Sequence, residues 1–324
     1  MIISRTPVRI SFIGGGSDIP NLLQNFDGNV VSTTIDKYIY TIINEKYDEK
    51  VRISYSKTEN LNNTNKILNP TIRECLKFCK ISKNIELVTV ADIPSSGSGL
   101  GSSSSLLVGI LNCIYNKKKI KVTSDRLIKD AYFIEKKLLK KNIGLQDHCN
   151  AAIGGLNHYR FKNNNKIITS KINLTDLDLR NFKDNLILFY TGINRNAEKI
   201  LNQIKVNDKK KEIFDLSSLA LEFKKNLISK KFNELGKIMN ESWNIKKKLD
   251  KNVSSTFINN VYDDAIKVGA SGGKILGAGG GGYFLFIIRN ELHKKLEKKL
   301  HKLKKINFNF EKEGSKIIYN DKHL

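Results

Sequence analysis

Cysteine is scarce. Four residues in 324 (Cys75, Cys79, Cys113 and Cys149) are too few for the disulfide framework of a small secreted domain, and Cys75 and Cys79 lack a second Cys or His pair at zinc-ligand spacing. The thiols are expected to be reduced and the protein cytoplasmic. No apolar run approaches the ~20 residues that span a bilayer, and the opening MIISRTPVRI has no charged segment followed by a long apolar core. Neither a membrane partner nor a leader is expected. No internal repeat is visible. Acidic residues are the minority, 32 Asp+Glu against 56 Lys+Arg for a net charge of +24, which raises the question of nucleic acid. The lysines argue against it: Lys136, Lys137, Lys140 and Lys141, or Lys294, Lys295, Lys298 and Lys299, fall opposite the leucines of their helices and read as solvated faces rather than a binding stripe. No nucleic-acid partner is expected, although small anionic substrates gain from the positive field.

With 40% hydrophobic residues over 324 positions, the chain is long enough for two domains. Its most informative stretch is Pro94-Ser-Ser-Gly97-Ser98-Gly99-Leu100-Gly101-Ser102-Ser103-Ser104-Ser105. The preceding IELVTVA (85–91) reads as a buried strand; the following Leu106, Leu107, Ile110, Leu111 and Ile114 recur at helical spacing. A Gly/Ser linker would not interrupt two apolar elements so abruptly. A glycine loop feeding a helix N-terminus is instead a phosphate cradle, with free backbone N–H groups and the positive helix end aimed at an anion, and the serines add hydroxyls for a phosphate oxygen or a hydrated Mg²⁺. No Lys follows Gly101, so the Walker pattern is absent.

Val8, Ile10 and Phe12 alternate with Arg9 and Ser11, so a first strand delivers Arg9 to the face opposite the apolar residues. It ends in Gly14-Gly15-Gly16-Ser17-Asp18, a turn that brings backbone close to a ligand and in which Asp18 is either a site carboxylate or a cap. Glu135 falls on the apolar stripe of Leu127, Ala131, Ile134 and Leu138, with no lysine at i±3 or i±4. An inward carboxylate needs a cation, and either a metal ion or a distant Arg or Lys supplies it. Asp147 follows a glycine turn at the start of a helix, where capping alone would also explain it. Further helices are predicted over 193–204, 209–229, 231–250 and 254–268, then a second glycine loop, Lys274 to Gly282, before the apolar strand 283–288. That loop packs backbone against a ligand or against the first loop.

These separated motifs together resemble the GHMP kinases, the superfamily of galactokinase, homoserine kinase, mevalonate kinase and phosphomevalonate kinase. RTPVR to Asp18 is similar to the family's substrate-side motif, Pro94 to Ser105 to its phosphate loop and Lys274 to Gly282 to its third motif. Within the superfamily, RTPVRISFIGGGSD, Gly-Leu-Gln-Asp, Tyr190-Thr191-Gly192 with Arg195, and KILGAGGGGYFLF are most similar to the D-glycero-D-manno-heptose 7-phosphate kinases. The resemblance implies an α+β, two-domain fold: a ribosomal S5 domain 2-like unit over 1–180 and a ferredoxin-like unit over 181–324. It implies ATP and Mg²⁺ as cofactors, a sugar or sugar-phosphate acceptor, and a monomer or homodimer. It assigns Asp147 as catalytic base with Arg9 beside it; Glu135 and Ser103 as metal ligands; Pro94, Ser96, Gly97, Ser98, Gly99, Leu100, Gly101, Ser102, Ser103 and Ser104 to the nucleotide; and Gly15, Gly16, Ser17, Asp18, Arg195, Gly279 and Gly280 to the substrate, with Lys274 a further candidate for a substrate phosphate. His148 stands where Gln or Asn is expected. A sugar kinase of another specificity, a non-catalytic sugar sensor and an RNA-binding S5-like protein are the competing readings.

Overall fold

The computed structural model describes residues 1–19, 26–94, 97–162, 164, 166–194 and 206–321. Two sheets organise these residues. The larger has nine strands, in the order β13-β1-β2-β5-β3-β4 with β6, β7 and β12 joining through β2: β1 is Ile2–Ile13, β2 Gly28–Glu45, β3 Val51–Ser54, β4 Thr58–Leu61, β5 Ile85–Ala91, β6 Leu156–Phe161, β7 Ile167–Lys171, β12 Phe310–Glu311 and β13 Lys316–Asn320. The smaller is antiparallel, in the order β11-β8-β10-β9, from β8 Leu186–Tyr190, β9 Gly272–Ile275, β10 Tyr283–Ile287 and β11 Lys304–Ile306. The α+β class read from the sequence is the class observed. Residues 310–320, which a division at residue 180 places with the second half, hydrogen-bond back onto β2 and β1 of the first sheet.

β1 is the spine. Its alternation sends Val8, Ile10 and Phe12 into a core with Phe182, Phe223 and Leu285, so apolar residues from both halves bury one another across this face. Arg9 and Ser11 face the other way. There lie four helices, α1 (Pro70–Phe78), α2 (Ser102–Lys117), α3 (Ser124–Phe133) and α4 (Gln146–Ile153), whose Leu107, Ile110, Leu111, Leu127, Ile134 and Cys149 pack in a second core over β2 and β5. Thr123 caps α3 by accepting Arg126 N–H.

The predicted helices after residue 206 are present as Lys210–Ile228, Phe232–Lys247 and Thr256–Val268, the last closed by Gly269. The helix predicted over 193–204 lies almost wholly outside the described residues. The asparagine-rich segment 60–69 contains the end of β4 and a short turn of helix at Thr64–Lys66, because Asn63 accepts Asn65 N–H and starts that turn.

Candidate active site

Gly97, Gly99 and Gly101 have left-handed φ of +70°, +77° and +76°, and Gly101 leads into α2 with no side-chain cap on the first amides, leaving the N–H groups of a 16-residue helix without intrahelical acceptors. A Cβ on Gly101 would stand 3.3 Å from the Asp147 carboxylate and 3.4 Å from Arg9 Cγ, so the glycine loop and the Arg9–Asp147 ion pair lie side by side. Leu100 is wholly buried and its carbonyl accepts Arg9 N–H at 2.9 Å; it pins the loop to β1 rather than offering its side chain to a ligand. Ser98 is buried, with its Oγ accepting Leu100 N–H at 3.3 Å, and Pro94 is half-buried at the loop's entrance. Ser96 lies outside the described residues.

The second glycine loop resolves towards loop-on-loop packing. A Cβ on Gly282 would meet Ser98 O at 2.4 Å, Gly282 N donates to Ile193 O at 3.0 Å and Thr191 N donates to Gly282 O at 2.9 Å. Gly279 and Gly280, expected at the substrate, sit instead on the Val253 turn, where Gly280 N donates to Val253 O at 2.7 Å. Lys274 is 2% exposed, and its Nζ donates to Ser11 O and Phe12 O at 3.2 Å each, so it ties β9 to β1. Burial, with the neighbouring Arg9 charge, pushes its ammonium down to about 7.

Arg9 reaches Asp147 from β1. Its Nε and Nη2 lie 2.8 Å and 2.7 Å from the same oxygen, Oδ1, and its Nη1 donates to Gly99 O. Asp147 therefore stands in the first turn of α4 with one oxygen held by a buried guanidinium and its side chain 27% exposed. Asp18, offered by the sequence as site carboxylate or cap, is a cap in space: Oδ1 accepts Gly16 N–H at 2.9 Å, and Oδ2 accepts Gln146 N–H, the first residue of α4, at 3.2 Å. Burial, and then the charge of Asp147, raises the Asp18 carboxyl above its ordinary value against these N–H bonds. Ser17, expected at the substrate, is fully buried and its hydroxyl donates to Gly14 O at 2.7 Å, within the turn. Gly15 and Gly16 form that turn, Gly15 opposite Gln146 Nε2 and Ser11 Oγ.

Glu135 has partners that helical spacing did not reveal. The segment Ile134–Leu138 is a π-turn, and Lys140 follows in the left-handed region at φ +54°, so Lys141 returns to Glu135. The ammonium lies 2.7 Å from Glu135 Oε1, Ser103 Oγ donates to Oε1 at 2.6 Å, Ser104 Oγ to Oε2 at 2.7 Å and His148 Nε2 to Oε2 at 2.9 Å. No lysine at i±3 or i±4 pairs with Glu135; its lysine partner is Lys141, which returns to it from beyond the end of the π-turn. Burial alone would raise this carboxyl, which is 1% exposed, but His148 and Lys141 outweigh burial and hold it well below the usual carboxylate range. His148 itself is buried, with the Tyr132 ring edge-on at 5.6 Å and Nδ1 without a partner among the described residues. It belongs to Glu135, not to a substrate surface. Arg195 lies outside the described residues.

Ser103 and Glu135 offer a hydroxyl and an ionised carboxylate, hard oxygen donors suited to Mg²⁺. No cluster of three His, Cys, Asp or Glu able to hold a metal exists among the described residues. A metal here would need further oxygens, and polyphosphate at the head of α2 would provide them.

The family model "GHMP kinases N terminal domain" matches residues 65–155 and "GHMP kinases C terminal" matches residues 223–305. The chain is 30% identical to a D-glycero-alpha-D-manno-heptose 7-phosphate kinase of Campylobacter jejuni, over 97% of this chain and 98% of that protein. Among solved structures, a D-glycero-D-manno-heptose 1-phosphate kinase from Bacteroides thetaiotaomicron superposes with a TM-score of 0.79 at 22% identity, covering 99% of this chain and all of the other. Lactococcus lactis galactokinase complexed with galactose superposes with a TM-score of 0.76 at 16% identity, covering 97% of this chain and 94% of its own.

Proposed function

Because the chain belongs to the GHMP kinases, and is therefore an ATP-dependent phosphotransferase, we propose that it transfers the γ-phosphoryl group of ATP to the anomeric hydroxyl of a heptose 7-phosphate. The observation that carries the chemistry is how near Gly101 lies to Asp147 and Arg9, a Cβ there falling 3.3 Å from the carboxylate and 3.4 Å from Arg9 Cγ: a carboxylate stands beside the glycine loop, where an acceptor hydroxyl must meet the γ-phosphorus. Arg9 closes on Oδ1 of Asp147 alone, which orients the carboxylate, so Oδ2 is the oxygen to receive the hydroxyl proton. The helix end and glycine amides take the developing phosphate charge. Ser103 and Glu135 would hold Mg²⁺, which when bound neutralises charge on the phosphates.

The heptose 7-phosphate acceptor is supported by the 30% identical Campylobacter protein, whose name specifies it. A phosphorylated acceptor needs a second anion site. The backbone of Ile193 bonds to Gly282 beside the phosphate loop, and Arg195 follows two residues later, so we assign it to the 7-phosphate, which a guanidinium binds as a fork. Among the described residues no helix is long and apolar enough to cross a membrane. The four free, buried cysteines support a reducing compartment, the cytoplasm.

The test is kcat/KM for heptose 7-phosphate against the unphosphorylated heptose, galactose and fucose, in wild type and Arg195→Ala. Wild type should prefer the phosphorylated heptose and Arg195→Ala should lose that preference. A free sugar used equally well or better overturns the acceptor assignment.

A further inference from the structure

Glu135 is a carboxylate with no lone pair to spare. An ionised carboxylate offers about four acceptor positions, and Ser103, Lys141, Ser104 and His148 take two on each oxygen. A divalent cation bound to Glu135 must displace one of them. Ser104 and His148 are buried, the imidazole held edge-on by Tyr132, and Ser103 is itself the second oxygen such a cation needs. Lys141 differs. Its side chain is 20% exposed, it stands on the turn made by Lys140, and its Nζ also donates to Ser103 Oγ at 3.0 Å. The ammonium therefore bridges the two oxygens that would chelate the metal. A divalent cation taking both oxygens would stand against the ammonium, and two cations at close range repel steeply.

We propose that Lys141 is an exchangeable counter-ion: its ammonium neutralises Glu135 until the nucleotide-borne divalent metal takes Glu135 and Ser103, and it then swings out. This deepens, and rests on, the metal reading of those two residues. The exchange leaves the buried carboxylate with a cation at every stage, avoiding the cost of a bare buried charge. It also couples metal to nucleotide, since a free metal ion must displace a resident cation unaided, whereas polyphosphate brings its own oxygens and gives the released lysine a partner.

The test is Mn²⁺ binding, read from the paramagnetic resonance of the free ion, with and without a non-hydrolysable ATP analogue. Without nucleotide, Lys141→Met should bind Mn²⁺ about fivefold or more tighter than wild type, within the usual range of such couplings. Its melting temperature should lie below wild type without metal, and the gap should close when Mn²⁺ and analogue saturate. Lys141→Gln repeats the comparison should the methionine variant not fold. Mn²⁺ affinity equal to or weaker than wild type in the lysine variant overturns the exchange. Glu135→Gln separates the two layers: if it leaves Mn²⁺ binding with the analogue intact, the metal reading itself fails, whereas loss there without a gain in the lysine variant sinks only the exchange.

Discussion

The carboxylate of Asp18 accepts the backbone N–H of Gln146 at 3.2 Å across 128 residues of sequence, so the turn after the first strand caps the helix that carries Asp147. Gly144 leaves the space for it, since a Cβ there would fall 1.8 Å from Asp18 Oδ2. Removing the cap frees one buried N–H at the head of α4 and loosens the placement of Asp147. Asp18→Ala should cost about 1 kcal/mol of stability, the usual worth of a cap, and should lower kcat while the Kd for an ATP analogue stays at the wild-type value. Denaturant unfolding and analogue titration check it. Weakened nucleotide binding with unchanged kcat would mean that Asp18 serves the phosphate loop instead.

Asp147→Asn keeps the size of the side chain and removes its basicity. If Asp147 accepts the hydroxyl proton, turnover should fall by about 10² to 10⁴, and the melting temperature should fall with it, because asparagine leaves the buried Arg9 guanidinium without its counter-charge. Single-turnover phosphoryl transfer measures it directly. Turnover within a few-fold of wild type would remove Asp147 as the base and leave positioning and charge neutralisation to account for the rate.

What the sequence made legible was whatever obeys a short period or a local rule. The alternation of Val8, Ile10 and Phe12 put Arg9 on the face opposite the apolar residues because β1 is regular from residue 8 to 11, and Gly97 to Ser105 announced a tight loop into a helix because glycine readily takes the left-handed φ found there. The partners of Glu135 were hidden, since the π-turn at Ile134–Leu138 and the left-handed Lys140 break the spacing from which they would have been sought. Asp18 as a cap for α4 and Gly279 on Val253 are contacts between distant segments, for which no local signal exists. Strand β13 returns to β1 from the end of the chain, a pairing that the short stretch KIIYN does not announce.

Gly101 combines both kinds of constraint. Its φ of +76° costs a residue with a Cβ roughly 1 kcal/mol or more, and that Cβ would press on the Asp147 carboxylate at 3.3 Å. Gly101→Ala should therefore destabilise modestly and lower turnover strongly, by displacing either Asp147 or the head of α2. Chemical-shift perturbation at the Asp147 amide, measured beside kcat, separates strain at the site from global unfolding. A variant with wild-type kcat would show that the loop and the carboxylate need not touch.

Lys274 gives the protein a pH-dependent joint between its sheets. In the folded chain its ammonium titrates at about 7, pushed down from 10.5 by burial and then by Arg9, and in the unfolded chain it returns to the ordinary lysine value. Between those limits the unfolded state binds a proton that the folded state does not, so stability rises with pH across the window, at most by about 1.4 kcal/mol per pH unit for one group. Below the folded value both states are protonated and the penalty of burying the charge is complete. Lys274→Met removes the titration along with the bonds to the Ser11 and Phe12 carbonyls, and those lost bonds contribute an offset that does not vary with pH. The unfolding free energy of wild type minus that of the variant should thus climb from neutral to mildly alkaline pH and flatten below neutrality. Urea unfolding of both proteins through that range decides it. A difference that stays constant would mean that Lys274 remains charged in the fold, its ammonium carried by the carbonyls at the end of β1.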